Sequence, residues 1–246
     1  MPETNQISLQ SIADEHISRL LSLRDGVELN HIGLLNLNAD AYRQYVEKLP
    51  PRPRATVQLS AEQMMRQAMC WMAANALRDV LSLDLVLFEQ IRLCIELSRI
   101  GASKGNEKKK QAEAKKLLEG KIENLEQGVS QLERLLIGGF PRKAEIQSLE
   151  RLFRIFAGET VRQPFVPADS SVEITLCVPE LTGQPDASGN IPFQAISQHR
   201  IFPDVGSLRV DKELIYAIFF TAFTLYRELV ESCKATILEK YPNSIS

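Results

Sequence analysis

SAEQMMRQAMCWMAANALRDVLSLDLVLFEQIRLCIELSRI, residues 60–100, is the stretch from which the rest of this chain can be read. It holds 41 residues without Gly or Pro, and apolar side chains occupy most of its circumference at helical spacing. As one α-helix rising 1.5 Å per residue it spans roughly 60 Å. A compact chain of this length has a radius of gyration of only about 18 Å. Either the helix breaks or the protein is an elongated bundle, and the flanking pattern favours the bundle.

Placed at 100° per residue, Arg78, Ser82, Glu89, Arg92, Glu96 and Arg99 gather in one narrow polar strip. Leu77, Val80, Leu87, Phe88, Ile91 and Ile95 belong to the apolar remainder, which predicts cover from several neighbours. Asp84 falls inside the apolar arc. An unpaired buried carboxylate costs several kcal/mol, so Asp84 must be paired, protonated or facing a cavity. It is a candidate for a structural hub and for a catalytic or ligand site.

Upstream, Leu9, Ile12, Ala13, Ile17, Leu20 and Leu21 recur at helical spacing, and Gly26 reads as the stop of a first helix over 8–25. Asn38 can cap a short helix reaching Lys48. Pro50, Pro51 and Pro53 then enforce an extended linker. Ser60 with Gln63 has the form of a capping box, and Met64, Met65, Met69, Met72 and Trp71 suit an irregular core. This divides the chain into N-terminal helices and linker over 1–54, packed on a main bundle over 55–246.

Downstream, GASKG at 101–105 makes a turn, and a second helix is predicted over Asn106–Ile137. Leu118, Ile122, Leu125, Val129, Leu132 and Leu136 repeat every three or four residues, a heptad seam that folds back as an antiparallel hairpin. Gly120 and Gly128 lie off that seam. Pro141 reads as the first position of a third helix carrying Ile146, Leu149, Phe153 and Phe156. The pattern switches to alternation at Val172, Ile174, Leu176 and Val178, a half-buried strand closed by Pro179. A turn-rich tip at 184–190 leads to a return strand at Ile191, Phe193 and Ala195, so residues 158–206 form a small β-hairpin or loop insertion before the last helix. Asp211 caps that helix, which runs to about Tyr241. The fold class is mainly α: an elongated helical bundle built on a long antiparallel helix hairpin.

The chain has 246 residues, 44% hydrophobic and 24% charged, with net charge −2, so any nucleic-acid or membrane contact must use a local patch. Lys104, Lys108, Lys109 and Lys110 form the one basic cluster, able to hold phosphates but without an interleaved aromatic to stack a base. The stretch 214–226 is too short to cross a bilayer and is flanked by charges. With no secretory signal in MPETNQISLQ and no metal-type cysteine spacing, the expectation is a cytoplasmic protein with reduced cysteines and neither metal nor cofactor. Glycine-rich phosphate loops, HExxH, CxxC and GxSxG are all absent, which lowers the expectation of catalysis. His199 in the insertion is a binding candidate with no second ligand-type residue at metal spacing.

The long helix, antiparallel partner, shorter third helix, polar insertion and very apolar last helix together resemble, over residues 60–240, the HEPN-like helical domains of prokaryotic defence and toxin–antitoxin systems. The resemblance implies a ribonuclease where an Arg precedes a His by four to six intervening residues. Here Arg24 and His31 match that spacing, with Gly26 between them and at the opposite end of the chain from the family's pattern. The resemblance therefore implies a member that keeps a binding or scaffold role. Three expectations result: a non-catalytic bundle acting through protein partners, with self-association as a homodimer; an RNA binder or nuclease using the lysines; and an enzyme or small-molecule receptor built around Asp84.

Overall fold

The structure, a computed structural model, describes residues 9–35, 44, 48, 61–161, 172–189, 191–202 and 212–242. In chain order these form α1 (Leu9–Leu35), α2 (Ala61–Ala102), α3 (Glu107–Glu119), α4 (Leu125–Leu135), α5 (Lys143–Val161), β1 (Val172–Leu181), β2 (Phe193–Phe202) and α6 (Lys212–Lys240). The architecture is mainly helical, with a two-stranded antiparallel sheet ahead of the last helix, as the periodicities predict. Asn38, the Pro50–Pro53 linker, Ser60 and Asp211 lie outside the described residues.

α2 is unbroken over 42 residues, and each of the other five helices packs on it or on a helix that does. Leu77, Val80, Leu87, Phe88 and Ile91 are fully enclosed, which is the multi-sided cover that its wheel demands. Trp71 departs from the expected core role: it is 63% exposed while Met72 beside it is buried.

Gly26 does not end α1, which continues to Leu35. A glycine costs a helix interior only about 1 kcal/mol. Packing against α2 and α6 outweighs that cost, with Ile12, Ala13, Leu20 and Val27 entering the common core.

The helix predicted over 106–137 is two helices. Gly120 turns the chain into extended conformation, and the Asn124 side chain caps α4 by accepting from the Gln127 N–H at 2.9 Å. The interruption frees backbone groups that the polar strip of α2 satisfies. Arg92 donates to the Gly120 carbonyl at 2.6 Å, and the Ile122 N–H donates to Glu89 at 3.2 Å. Leu118 consequently leaves the seam at 58% exposure, whereas Ile122, Val129, Leu132 and Leu136 stay in the core. Arg99 meets Glu113, Arg92 meets Gly120 and Phe88 meets Gly128, a reversed order that makes the hairpin antiparallel as expected.

Pro141 is not the first position of a helix. It belongs to a turn with Arg142, whose φ of 54° is left-handed, and α5 begins at Lys143. Nor does Pro179 close β1, which pairs in register from Val172↔Phe202 to Leu181↔Phe193. The Thr175 and Cys177 N–H groups point away from β2, donating at 2.8 Å to Ser148 Oγ of α5 and to Thr221 Oγ1 of α6. Antiparallel pairs alternate direction, so Pro179 also falls on that outward side and its missing N–H takes nothing from the ladder. β1 is thus set edge-on between α5 and α6, and β2 lies outside it.

Candidate functional site

Asp84 is fully enclosed where α1, α2 and α6 meet. Beside it is Tyr226 of α6, also 0% exposed, whose ring meets His16 of α1 edge-on at 5.8 Å between centroids. His16 Nε2 lies 2.8 Å from Gln90 Oε1. The amide oxygen only accepts, so Nε2 carries the proton and Nδ1 keeps a lone pair. Among the described residues His16 Nδ1, both Asp84 carboxyl oxygens and the Tyr226 hydroxyl complete no hydrogen bond of ordinary geometry. The phenol is nonetheless close enough to Asp84 to bias its titration.

Burial pushes the Asp84 carboxyl up to about 7, with the Tyr226 hydroxyl pulling the other way. Burial, then the Asp84 charge, holds the Tyr226 phenol well above its ordinary 10. Burial also lowers His16 below 6.5, opposed by the bond to Gln90. Desolvation favours the uncharged form of every member, which is the protonated form of Asp84 and Tyr226 and the singly protonated, neutral form of His16. The spacing of Asp84 on its wheel marks it in advance. His16 was legible too, since it stands four residues after Ile12 and four before Leu20 on the buried stripe of α1.

Arg24 and His31 come together because α1 runs through Gly26. With Glu28 they line one side of a cleft of about 140 Å³, whose other side is Lys212, Ile215 and Tyr216 of α6. His31 is buried, Arg24 pairs with Asp25 at 2.6 Å, and Lys212 approaches Glu28 at 3.5 Å. Arg24 and Tyr216 also border a second, larger groove of about 260 Å³. Leu20, Leu181, Phe193, Phe220 and Phe223 build its apolar walls. Phe193 meets the Phe220 ring edge-on at 5.4 Å, which fixes the tip of the β-hairpin against α6.

The lysines stand apart from both clefts. Lys104, in the turn before α3, and Lys108 and Lys109, in its first turn, are exposed; α3 has no buried residue, and Lys110 donates to the Gly101 carbonyl at 2.8 Å. His199 pairs with Thr175 in the strand register, and its side chain is outside the described set. Asp84 borders neither cleft. Among the described residues no cluster of three or more His, Cys, Asp or Glu side chains could hold a metal ion, and no helix is long and apolar enough to cross a membrane.

One further constellation escapes sequence reading. Arg142 grips Glu228 through Nε and Nη2 at 2.8–3.0 Å, and through Nη1 reaches Ser197 at 2.6 Å and Glu145 at 3.2 Å. Ser197 in turn donates to Glu145. This ties β2 to α5 and α6, and no linear signal could reveal it because its members span 86 residues. The chain matches no family model, no curated protein and no solved structure.

Proposed function

We propose that this is a non-catalytic helical-bundle protein that works by docking protein partners, a second copy of itself among them, on the face formed by α1, the β-hairpin and α6. The observation that carries this is the gathering of exposed Leu21, Leu181, Phe193 and Tyr216 around one apolar groove. Contiguous exposed apolar surface of this kind marks interaction sites. A cytoplasmic setting suits the four cysteines, none of which is in a disulfide.

The test is light scattering coupled to size exclusion over about a hundredfold range of concentration. Wild type should run as a dimer and Phe193→Asp as a folded monomer. A concentration-independent wild-type monomer would remove self-association from the reading.

A second reading has its own support, the convergence of Arg24 and His31 on one cleft. It is the HEPN-like one, in which the chain binds or cuts RNA. Labelled RNA should then bind with a steep salt dependence. Changing Lys108, Lys109 and Lys110 to Ala should weaken that binding, and His31→Ala should abolish any cleavage. No binding at low salt ends this reading.

A further inference from the structure

The sheet has two edges, and among the described residues the helices close only one of them. On β1, the outward N–H groups of Thr175 and Cys177 are taken by Ser148 and Thr221, and the Glu173 carbonyl accepts from Arg151 at 3.2 Å. Because Thr175 and Cys177 face away from β2, strict alternation assigns the outward positions of β2 as well. Their register partners include Ser197, and the same parity places Ala195 and Phe193 outward. The Thr182 N–H, of opposite parity, bonds inward to the Pro192 carbonyl at 2.9 Å, which confirms the assignment. Among the described residues no backbone group pairs with Phe193, Ala195 or Ser197 on that outer side.

This open edge begins at the apolar groove, since Phe193 is both its first residue and a groove wall. The groove has a sign. Among the described residues Arg24, which pairs with Asp25 at 2.6 Å, is the one charged residue in its lining, and no carboxylate lines it. At its border the Arg227 guanidinium stands over the Phe223 ring at 5.8 Å, exposed and with no ion pair among the described residues. β2 from Phe193 to Gln198 carries no Lys, Pro or acidic side chain of the kind that guards an edge against added strands.

We propose that the outer edge of β2 at Phe193–Ser197 takes up an extended segment of a protein partner that carries apolar and acidic side chains in turn at every second position, on the face it presents to the groove, and adds a third strand to the sheet. Main-chain bonds to Phe193, Ala195 and Ser197 supply the pairing. Apolar side chains enter the groove, and carboxylates meet Arg24 and Arg227. This rests on the partner-binding reading and gives that partner its chemistry.

The probe is a fluorescein-labelled decapeptide with Val and Glu in turn at every second position and Thr between them, so that one face of the strand carries both, followed by anisotropy on the full chain. Saturable binding is expected, with at least a tenfold loss when Lys replaces Glu in the peptide. Ala195→Pro removes one outward N–H that the hairpin does not use, and should also weaken binding at least tenfold. Should that variant misfold, wild type with a peptide N-methylated on its edge-facing amides reports the same bond. Arg24→Gln should flatten the salt dependence. The inference is overturned by absent saturable binding, by equal affinity for the Lys peptide, or by indifference to both backbone changes. If the peptide fails while a Phe193-dependent dimer forms, the docking face stands and the strand inference falls. If Ala195→Pro then also dissolves that dimer, the edge belongs to a second copy and the acidic segment is excluded.

Discussion

A carboxyl group with no exposure, on the same arc as Leu77 and Ile91, keeps its proton to higher pH than it does in the unfolded chain, because ionising it there forfeits hydration that the Tyr226 hydroxyl only partly replaces. Its pKa rises from 3.8 to about 7. Between those values the unfolded chain has lost the proton and the folded chain has kept it, so stability falls as pH rises through that window and levels off above about 7. At about 1.4 kcal/mol per pH unit, the loss amounts to about 4 kcal/mol. His16 acts in the opposite sense: its lowered pKa means the unfolded chain takes up a proton first, which destabilises the fold as pH drops below 6.5. The difference between wild type and Asp84→Asn therefore isolates the acid. Guanidinium midpoints at pH 5 and pH 8 should show the variant gaining stability over wild type at pH 8 and holding little or no advantage at pH 5. Equal pH dependence in both proteins would assign the slope to another group.

At the scale of elements, the interrupted second arm carries two glycines that differ in the space around them. Gly120 meets nothing closer than 3.8 Å where a Cβ would stand and sits at φ −88°, so a side chain would fit there. At Gly128 a Cβ would come within 2.9 Å of Phe88 Cδ2, and Phe88 is completely buried. Overpacking of that kind costs about 1–3 kcal/mol, more than the helix propensity that alanine returns. Gly128→Ala should lower the thermal midpoint by several degrees, and Phe88→Leu in the same chain should recover part of the loss by vacating the contact. Additive losses in the double variant would show that α4 and α2 do not meet through this pair. Arg92 and Glu89 explain why the break is tolerated, since they replace the helical bonds that Gly120 and Ile122 give up.

For the whole molecule, the two partner readings differ in their response to salt. An apolar groove whose described lining has one cation holds a protein partner mainly by burial, which salt screens little. A phosphate backbone held by α3 lysines depends on counterion release, and its affinity falls by orders of magnitude over the same range. The dimer is therefore expected to persist at about 1 M salt, where the Debye length is only about 3 Å. Light scattering at low and high salt checks this. Dissociation at high salt would move the interface from the groove to a charged surface.

By itself the sequence determined the features that periodicity along one element sets: the mainly helical class, the helical apolar arc of α2 with Asp84 inside it, the antiparallel return, and the alternating strands before the last helix, whereas the unbroken length of α2 is read from the structure. Those features are legible because burial of one face fixes the spacing of apolar residues within a few turns. Tertiary structure alone decided the rest. Local propensity stops α1 at Gly26, yet contacts with α2 and α6 carry it on and so bring Arg24 and His31 to one cleft. The heptad seam promises one continuous helix, yet side chains of α2 make a break at 120–124 tolerable. The Asp84–Tyr226–His16 cluster, the Arg142 clasp and the open edge of β2 arise from residues far apart in the chain. Their meeting depends on how whole elements pack, an energy that no window of neighbouring residues contains.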